Sequence, residues 1–220
     1  MTLNWFDTGV HLVYNGVQSC IQLLNGDCTM TTRAEYFAID PAPVIHAVEG
    51  PAGAGKSTYM ETDLSHLPTI PRPVHPRDRG PAYGAMSQSV SDFNALMYAA
   101  CYQDDVAVDR FLISRWVYYW IEDPKNFTQN WYTIMDLSYR GLRQTAYSEA
   151  AARMGRAVRL YPTIELLILL PTLPQLLEQR ALTGKTYPHD ARVELDYYRI
   201  IADRMICEPL DRINVSVRFG

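Results

Sequence analysis

Lysine is scarce in this chain. It occurs three times in 220 residues, at Lys56, Lys125 and Lys185, while arginine supplies 17 of the 20 basic residues. Each lysine therefore raises the question of what a compact ammonium does there that a guanidinium fork would not. Net charge is also low, at −4, and residues 1–42 carry −3 of it. A nearly neutral body gives no bulk electrostatic drive toward nucleic acid or a membrane surface, though a local basic cleft remains compatible with it. Cysteine is limited to Cys20, Cys28, Cys101 and Cys207, with no Cys-x-x-Cys pair and no zinc spacing. That pattern offers neither a redox pair nor a zinc site, and a reducing compartment is its simplest reading. No apolar run reaches the length of a membrane span. The amino terminus lacks the basic-then-apolar pattern of a secretory signal. A cytoplasmic setting without a membrane partner is expected. The 48% hydrophobic content is enough for one sizeable core.

One of the three lysines closes a motif. Gly50-Pro51-Ala52-Gly53-Ala54-Gly55-Lys56-Ser57 follows the apolar run Val44–Val48. This is the phosphate-loop pattern in the strand-then-helix setting it needs. Glycines let the backbone turn tightly and approach phosphate oxygens, and the amides then form an anion nest. Lys56 is expected to reach the β- and γ-phosphates of ATP. The Ser57 hydroxyl, with Thr58 beside it, is expected at Mg²⁺.

From Pro43 onward strands alternate with helices. Strands are expected over 44–48, 106–108, 164–170 and 213–219, with a short one near Pro71–Val74. Helices are expected from Lys56 to Leu64, Ser87 to Tyr102, Ser114 to Ile121, Trp131 to Arg153, Pro174 to Arg180 and Ala191 to Ile206. The pattern predicts an α/β fold, a parallel sheet with helices on both faces and ligands beyond the carboxyl ends of its strands. Residues 43–220 form the expected kinase-type domain. Residues 1–42, with turn signals at Asn15-Gly16 and Asn25-Gly26, read as a short N-terminal extension that can form a hairpin. Met30 is a candidate internal start.

A second constellation is Asp109-Arg110-Phe111, at the end of the 106–108 strand, with Ser114 after it. An Asp there can hold Mg²⁺ or accept a proton from an acceptor hydroxyl, and the adjacent Arg can hold an anionic acceptor. With Glu49-Gly50 leading into the phosphate loop, this set resembles the thymidylate kinase family and its relatives, the deoxynucleoside kinases. The segment Leu176–Arg180, then Thr183-Gly184-Lys185, is similar to that family's helix and lid. The likeness spans about 43–206 and implies the P-loop kinase fold. It also implies an ATP- and Mg²⁺-dependent phosphotransferase acting on a pyrimidine deoxynucleotide-type acceptor, free or within DNA. It further implies Lys56, Asp109 and Arg180 at the chemistry, Ser57 and Asp109 on metal, Lys185 on the donor, and Arg72 and Arg110 on the acceptor; Arg77 joins them as a basic residue of the proline-rich loop 67–82, since loops at the mouth of a site often carry substrate contacts.

The family's second-strand Glu is missing. Pro71-Arg72-Pro73-Val74 stands there, which leaves Asp109, Asp78 and His75 as candidate general bases. Few arginines lie in the lid. Both departures suit a divergent member, such as the viral (phage) branch that phosphorylates hydroxymethyl-deoxyuridine within DNA. A nucleotide-binding switch without an acceptor is the alternative from another class, and a homodimer is compatible with the sequence. The Trp116, Tyr118, Tyr119, Trp120 cluster reads first as core packing and Arg140, Arg143 and Arg153 as a solvated helix face. His46 reads as a core histidine.

Overall fold

Period-two burial along the strands divides the sheet into two unequal faces. The computed structural model describes residues 41–70 and 80–220, with side chains in the second segment described from Gln88. Five parallel strands, β1 (Val44–Glu49), β2 (Thr69–Ile70), β3 (Val106–Asp109), β4 (Thr163–Leu170) and β5 (Ile213–Phe219), lie in the order β2-β3-β1-β4-β5. Ile45 and Ala47, Val106 and Val108, and Ile164, Leu166 and Ile168 join the larger core. Their neighbours Val48, Ala107 and Leu169 turn to the other face, against Ala54 and Leu64. That alternation is what a strand's side-chain geometry imposes when both faces are covered.

The larger core is built on α2 (Gly80–Tyr102), α3 (Ile113–Glu122), α4 (Trp131–Met154) and α6 (Ala191–Cys207), and Leu176 joins it from a further helix. The second face is covered thinly. The short α1 (Lys56–Thr62) brings Tyr59 and Met60 to the smaller cluster. Farther out on β4 and β5, Glu165 and Asn214 are exposed and hydrogen-bond each other at 2.7 Å. The remaining helix, α5 (Leu173–Thr183), starts with a capping box in which the Thr172 and Gln175 side chains reciprocate. Pro174 sits in its first turn, where a missing N–H costs nothing.

The alternating α/β pattern expected from the sequence is present, with differences at element ends. α2 begins at Gly80, seven residues before the expected Ser87. Gly80, Pro81 and Gly84 read as breakers, but a proline in the first turn is compatible with a helix. Its buried stripe runs through Asp92, Ala95, Leu96 and Ala99, and Phe93 beside it is only half-buried. The described second strand is Thr69–Ile70. The expected one at 71–74 lies outside the described residues, as do the extension 1–40 and Arg72, His75, Arg77 and Asp78. Among the described residues no helix is long and apolar enough to cross a membrane.

The strand order sets where a ligand can go. The chain leaves β1 for the edge strand β2, comes back to β3 beside β1 and then crosses to β4 on the other side, so β1 is the switch point of the sheet. Loops after β1 and β3 diverge there and leave a crevice at the carboxyl edge.

Candidate active site at the switch point

Two loops meet at this crevice. Val48 pairs with Asp109 in the β1–β3 register, so the phosphate loop and the Asp-Arg turn leave the sheet side by side. Gly50 has φ +140°, and a Cβ there would come 2.5 Å from the Leu169 carbonyl oxygen, a backbone atom that cannot yield. Gly53, at φ +89°, would put a Cβ 2.9 Å from Cγ of Arg180. Both glycines are demanded by conformation and by space together. No side chain caps the start of α1.

Lys56 is buried and folded back on its own loop. Its Nζ donates to the carbonyl oxygens of Gly50 (2.8 Å) and Pro51 (2.7 Å). Burial lowers its pKa to about 7, helped by Arg110 and opposed by Asp109, Glu49 and Glu194. Ser57 and Thr58 stand exposed on the first turn of α1. Asp109 is half-buried, and its Oδ1 has no partner among the described residues. No cluster of three metal-type ligands occurs among them either. That donor set fits Mg²⁺, which keeps most of its waters and takes one or two protein oxygens plus phosphate.

The Asp-Arg turn is strained. Arg110 has φ +74° and Leu112 φ +64°, conformations that cost L-residues roughly 1–2 kcal/mol each. Two buried carboxylates hold them. Glu49 Oε1 accepts from the amides of Phe111 (2.7 Å) and Ser114 (3.1 Å), and Oε2 accepts from the hydroxyls of Ser114 (2.5 Å) and Tyr198 (3.1 Å). Asp92 accepts from the Leu112 amide and from Gln88, whose Nε2 also donates to the Arg110 carbonyl at 2.7 Å. Burial raises both carboxyl pKa values, that of Asp92 to about 7. Strain of this kind persists only where surrounding contacts over-determine it, and such places are often functional.

Arg110 is buried beneath this turn. It donates to Ser114 Oγ (2.9 Å) and the Tyr198 hydroxyl (3.2 Å) and lies 5.2 Å from the Tyr118 ring centroid. Its Nε has no partner among the described residues. Burial opposes its charge, but Tyr118, Tyr198, Glu49 and Asp109 outweigh burial, so the guanidinium remains protonated.

Arg180, from α5, reaches the phosphate loop itself. Nε donates to the Ala52 carbonyl at 2.9 Å, Nη1 donates to the His189 carbonyl at 2.9 Å, and Nη2 is ion-paired with buried Glu194. Glu194 also accepts from the Ala52 amide at 3.0 Å. Lys185 is exposed in the loop after α5. The site therefore brings together Lys56, Asp109, Arg110 and Arg180, while Lys185 stays outside these contacts and Arg72 and Arg77 lie outside the described residues.

Glu194 and Tyr198 were not singled out from the sequence. They stand one turn apart on α6, amid Ala191, Leu195, Ile201, Ala202 and Met205. The available signal was an acid at a position where helical spacing calls for an apolar residue. Of the aromatic cluster, Trp120 is core as expected, whereas Tyr119 is exposed. Arg140 and Arg153 pair with neighbouring acids on α4, matching a solvated face. His46 is half-buried and lines a small crevice with Tyr59 and Glu165.

The sequence matches no protein-family model and no curated protein. Among solved structures, the chain is similar to deoxyadenosine kinase from M. mycoides with bound dATP, at 14% identity and TM-score 0.48, covering 79% of this chain and 90% of that one. The same enzyme with bound dCTP gives 14% identity and TM-score 0.41, with 79% and 89% covered. With the products dCMP and dCDP bound it gives 14% and 0.42, with 78% and 89% covered.

Proposed function

We propose that this protein is an ATP-dependent phosphotransferase of the thymidylate kinase-like type, acting on a pyrimidine deoxynucleotide-type acceptor. One observation carries the reading: a phosphate loop and a strained Asp-Arg turn leave adjacent strands at the switch point of a parallel sheet, with Val48 paired to Asp109. The loop amides and Lys56 would hold the donor phosphates. Ser57 and Asp109 would hold Mg²⁺, which when bound neutralises phosphate charge during transfer.

The rest is positioning by this chain's own residues, which is where most of the rate in phosphoryl transfer originates. Lys56 would exchange its two carbonyl partners for phosphate oxygens. Arg110, held at a fixed height by Ser114 and Tyr198, would orient the acceptor's anionic group, with Arg72 and Arg77 as further contacts. Asp109 is the general-base candidate among the described residues. Arg180 and Lys185 would offset charge on the group in flight, Arg180 by exchanging the Ala52 carbonyl for phosphate. Action on hydroxymethyl-deoxyuridine within DNA is a second reading, favoured by the absence of a carboxylate from Pro71-Arg72-Pro73-Val74.

Product formation from labelled ATP with Mg²⁺, across deoxynucleosides, deoxynucleotides and hydroxymethylated DNA, tests this. Transfer should occur to one acceptor class, be abolished by Lys56→Ala, and fall more in kcat than in ATP affinity with Asp109→Asn. Transfer to the polymer alone selects the second reading. ATP binding with no phosphorylated product from any acceptor makes the protein a nucleotide-binding switch and defeats the proposal.

A further inference from the structure

The two edges of the sheet differ. β2 closes one side with Thr69 and Ile70 alone, too short to template another strand. β5 closes the other with seven residues paired to β4 in unbroken register, so no bulge bends it away. It carries no proline and no lysine, and no described strand lies beyond it. A long edge without such devices is ready to pair with another chain. The register also says which backbone groups it offers. The Ile164 amide donates to the Arg212 carbonyl, and the Gly220 amide donates to the Leu170 carbonyl. Even-numbered residues of β5 therefore spend their amides and carbonyls on β4. Those of Val215, Val217 and Phe219 point outward, while the Ile213 amide turns back to the Leu210 carbonyl (3.0 Å).

The side chains along this edge supply both a key and a lock. Phe219 is 73% exposed at one end of the strand. Toward the other end opens a recess of about 540 Å³, lined by Met205 and Ile206 of α6, Pro209 and Leu210 of the turn, and Ile213 and Val215 of β5. Met205, Leu210 and Ile213 are buried, and Ile206 is 54% exposed on its wall. Phe219 shares a face of β5 with Ile213, Val215 and Val217, the face turned to the larger core. On the opposite face Arg218 lies over the Tyr59 ring, and the Asn214 amide donates to Glu165.

We propose that this edge is the interface of a two-fold dimer, in which β5 pairs antiparallel with β5 of a second copy about an axis through Ser216. Val215 then faces Val217 of the second copy, and Ile213 faces its Phe219, all residues whose backbone groups include an outward donor or acceptor. Each Phe219 ring lands beside the other copy's Ile213, at its apolar recess. Each Arg218 lands opposite the other copy's Asn214, next to the Glu165 carboxylate that Asn214 holds, so opposite charges meet rather than like ones. The two sheets become one. A single strand pair flanked by two recesses is at the small end of specific interfaces, and a dissociation constant of roughly 1–100 µM is expected. The dimer does not rest on the activity assigned to the phosphate loop.

Sedimentation of the full chain from about 1 to 500 µM, a range that brackets that constant, reads the association. Wild type should pass from monomer to dimer. Phe219→Glu would push a carboxylate into the apolar recess and should weaken the dimer about tenfold or more. Because Phe219 is exposed, that variant should keep the circular dichroism of the wild-type monomer. Cross-linking fixes the register. At the axis Ser216 meets its own copy in a non-hydrogen-bonded pair, with Cα atoms about 4.5 Å apart, within reach of a disulfide. Ser216→Cys, oxidised with glutathione disulfide, should therefore link the two copies at that position, as located by peptide mass mapping. Asn214→Cys, roughly 14 Å from its own copy across the axis, should not. Wild type that stays monomeric up to about 500 µM would overturn the proposal. So would a dimer that Phe219→Glu leaves as tight as wild type, or a link that forms at position 214 and not at 216.

Discussion

Replacing Glu49 should separate the scaffold of the site from its charge. Its carboxylate is fully buried and accepts from two backbone amides and two hydroxyls that belong to three different elements. In Glu49→Ala the amides of Phe111 and Ser114 lose their acceptor in a place water does not reach. Each unmade bond costs about 1–3 kcal/mol, and Arg110 loses a facing negative charge besides, so a total of roughly 3–5 kcal/mol is expected. In Glu49→Gln the amide oxygen still serves both backbone donors, and the hydroxyls of Ser114 and Tyr198 can rotate to accept from the new NH₂. That variant should lose only about 1–2 kcal/mol, the charge-assisted part. For a chain of this size the melting temperature falls by about 2–4 °C per kcal/mol, giving a drop near 10–15 °C for Ala and about 3–6 °C for Gln. Amide exchange at Phe111 and Ser114, measured alongside the melts, should accelerate in Ala far more than in Gln. An Ala variant within 1 kcal/mol of wild type, with both amides still protected, would refute the claim that Glu49 holds the turn.

Two further outcomes concern protons. Asp92 has its pKa raised by burial from 3.8 to about 7, so the fold favours the protonated form. Its contribution is fully present below about pH 4 and is lost as pH rises through about 7, with a ceiling of roughly 4 kcal/mol. Denaturant melts should therefore show wild type losing stability relative to Asp92→Asn between pH 4 and pH 8, and a pH-independent difference would contradict this. Lys56, lowered to about 7, is largely neutral at pH 8 until phosphate restores its charge. Binding of Mg²⁺-saturated ATP should take up roughly one proton at pH 8 and much less at pH 6. Calorimetry in buffers of different ionisation enthalpy reads this directly, and uptake that does not change with pH would sink it.

How much of this was legible in the sequence varies residue by residue. The phosphate loop was legible because its chemistry is local: glycine geometry and one ammonium fix it within eight residues. The strands were legible because 106–108 and 164–170 are short apolar runs bounded by turn residues. What escaped was non-local. Glu49 stood in plain view as the residue before the loop, but its four partners lie 62 to 149 positions away. Asp92 and Glu194 each interrupt an apolar helical stripe, a signal that marks burial of a charge without naming what it meets. The start of α2 was missed because Gly80, Pro81 and Gly84 favour a loop locally, and tertiary packing overrides such preferences. Arg180 was expected on transferring phosphate. Its position on the Ala52 carbonyl, paired with Glu194, depends on α5 and α6 converging on the loop, which no local pattern encodes.

Titration calorimetry of the folded protein with ATP and Mg²⁺, beside Lys56→Ala, tests the central claim most directly. Saturable binding to wild type, weakened about a hundredfold or more by the substitution, is the predicted result, since it removes a charge-assisted contact inside a buried anion nest. A properly folded protein that takes up neither ATP nor GTP, or a Lys56→Ala variant that binds as tightly as wild type, would contradict it.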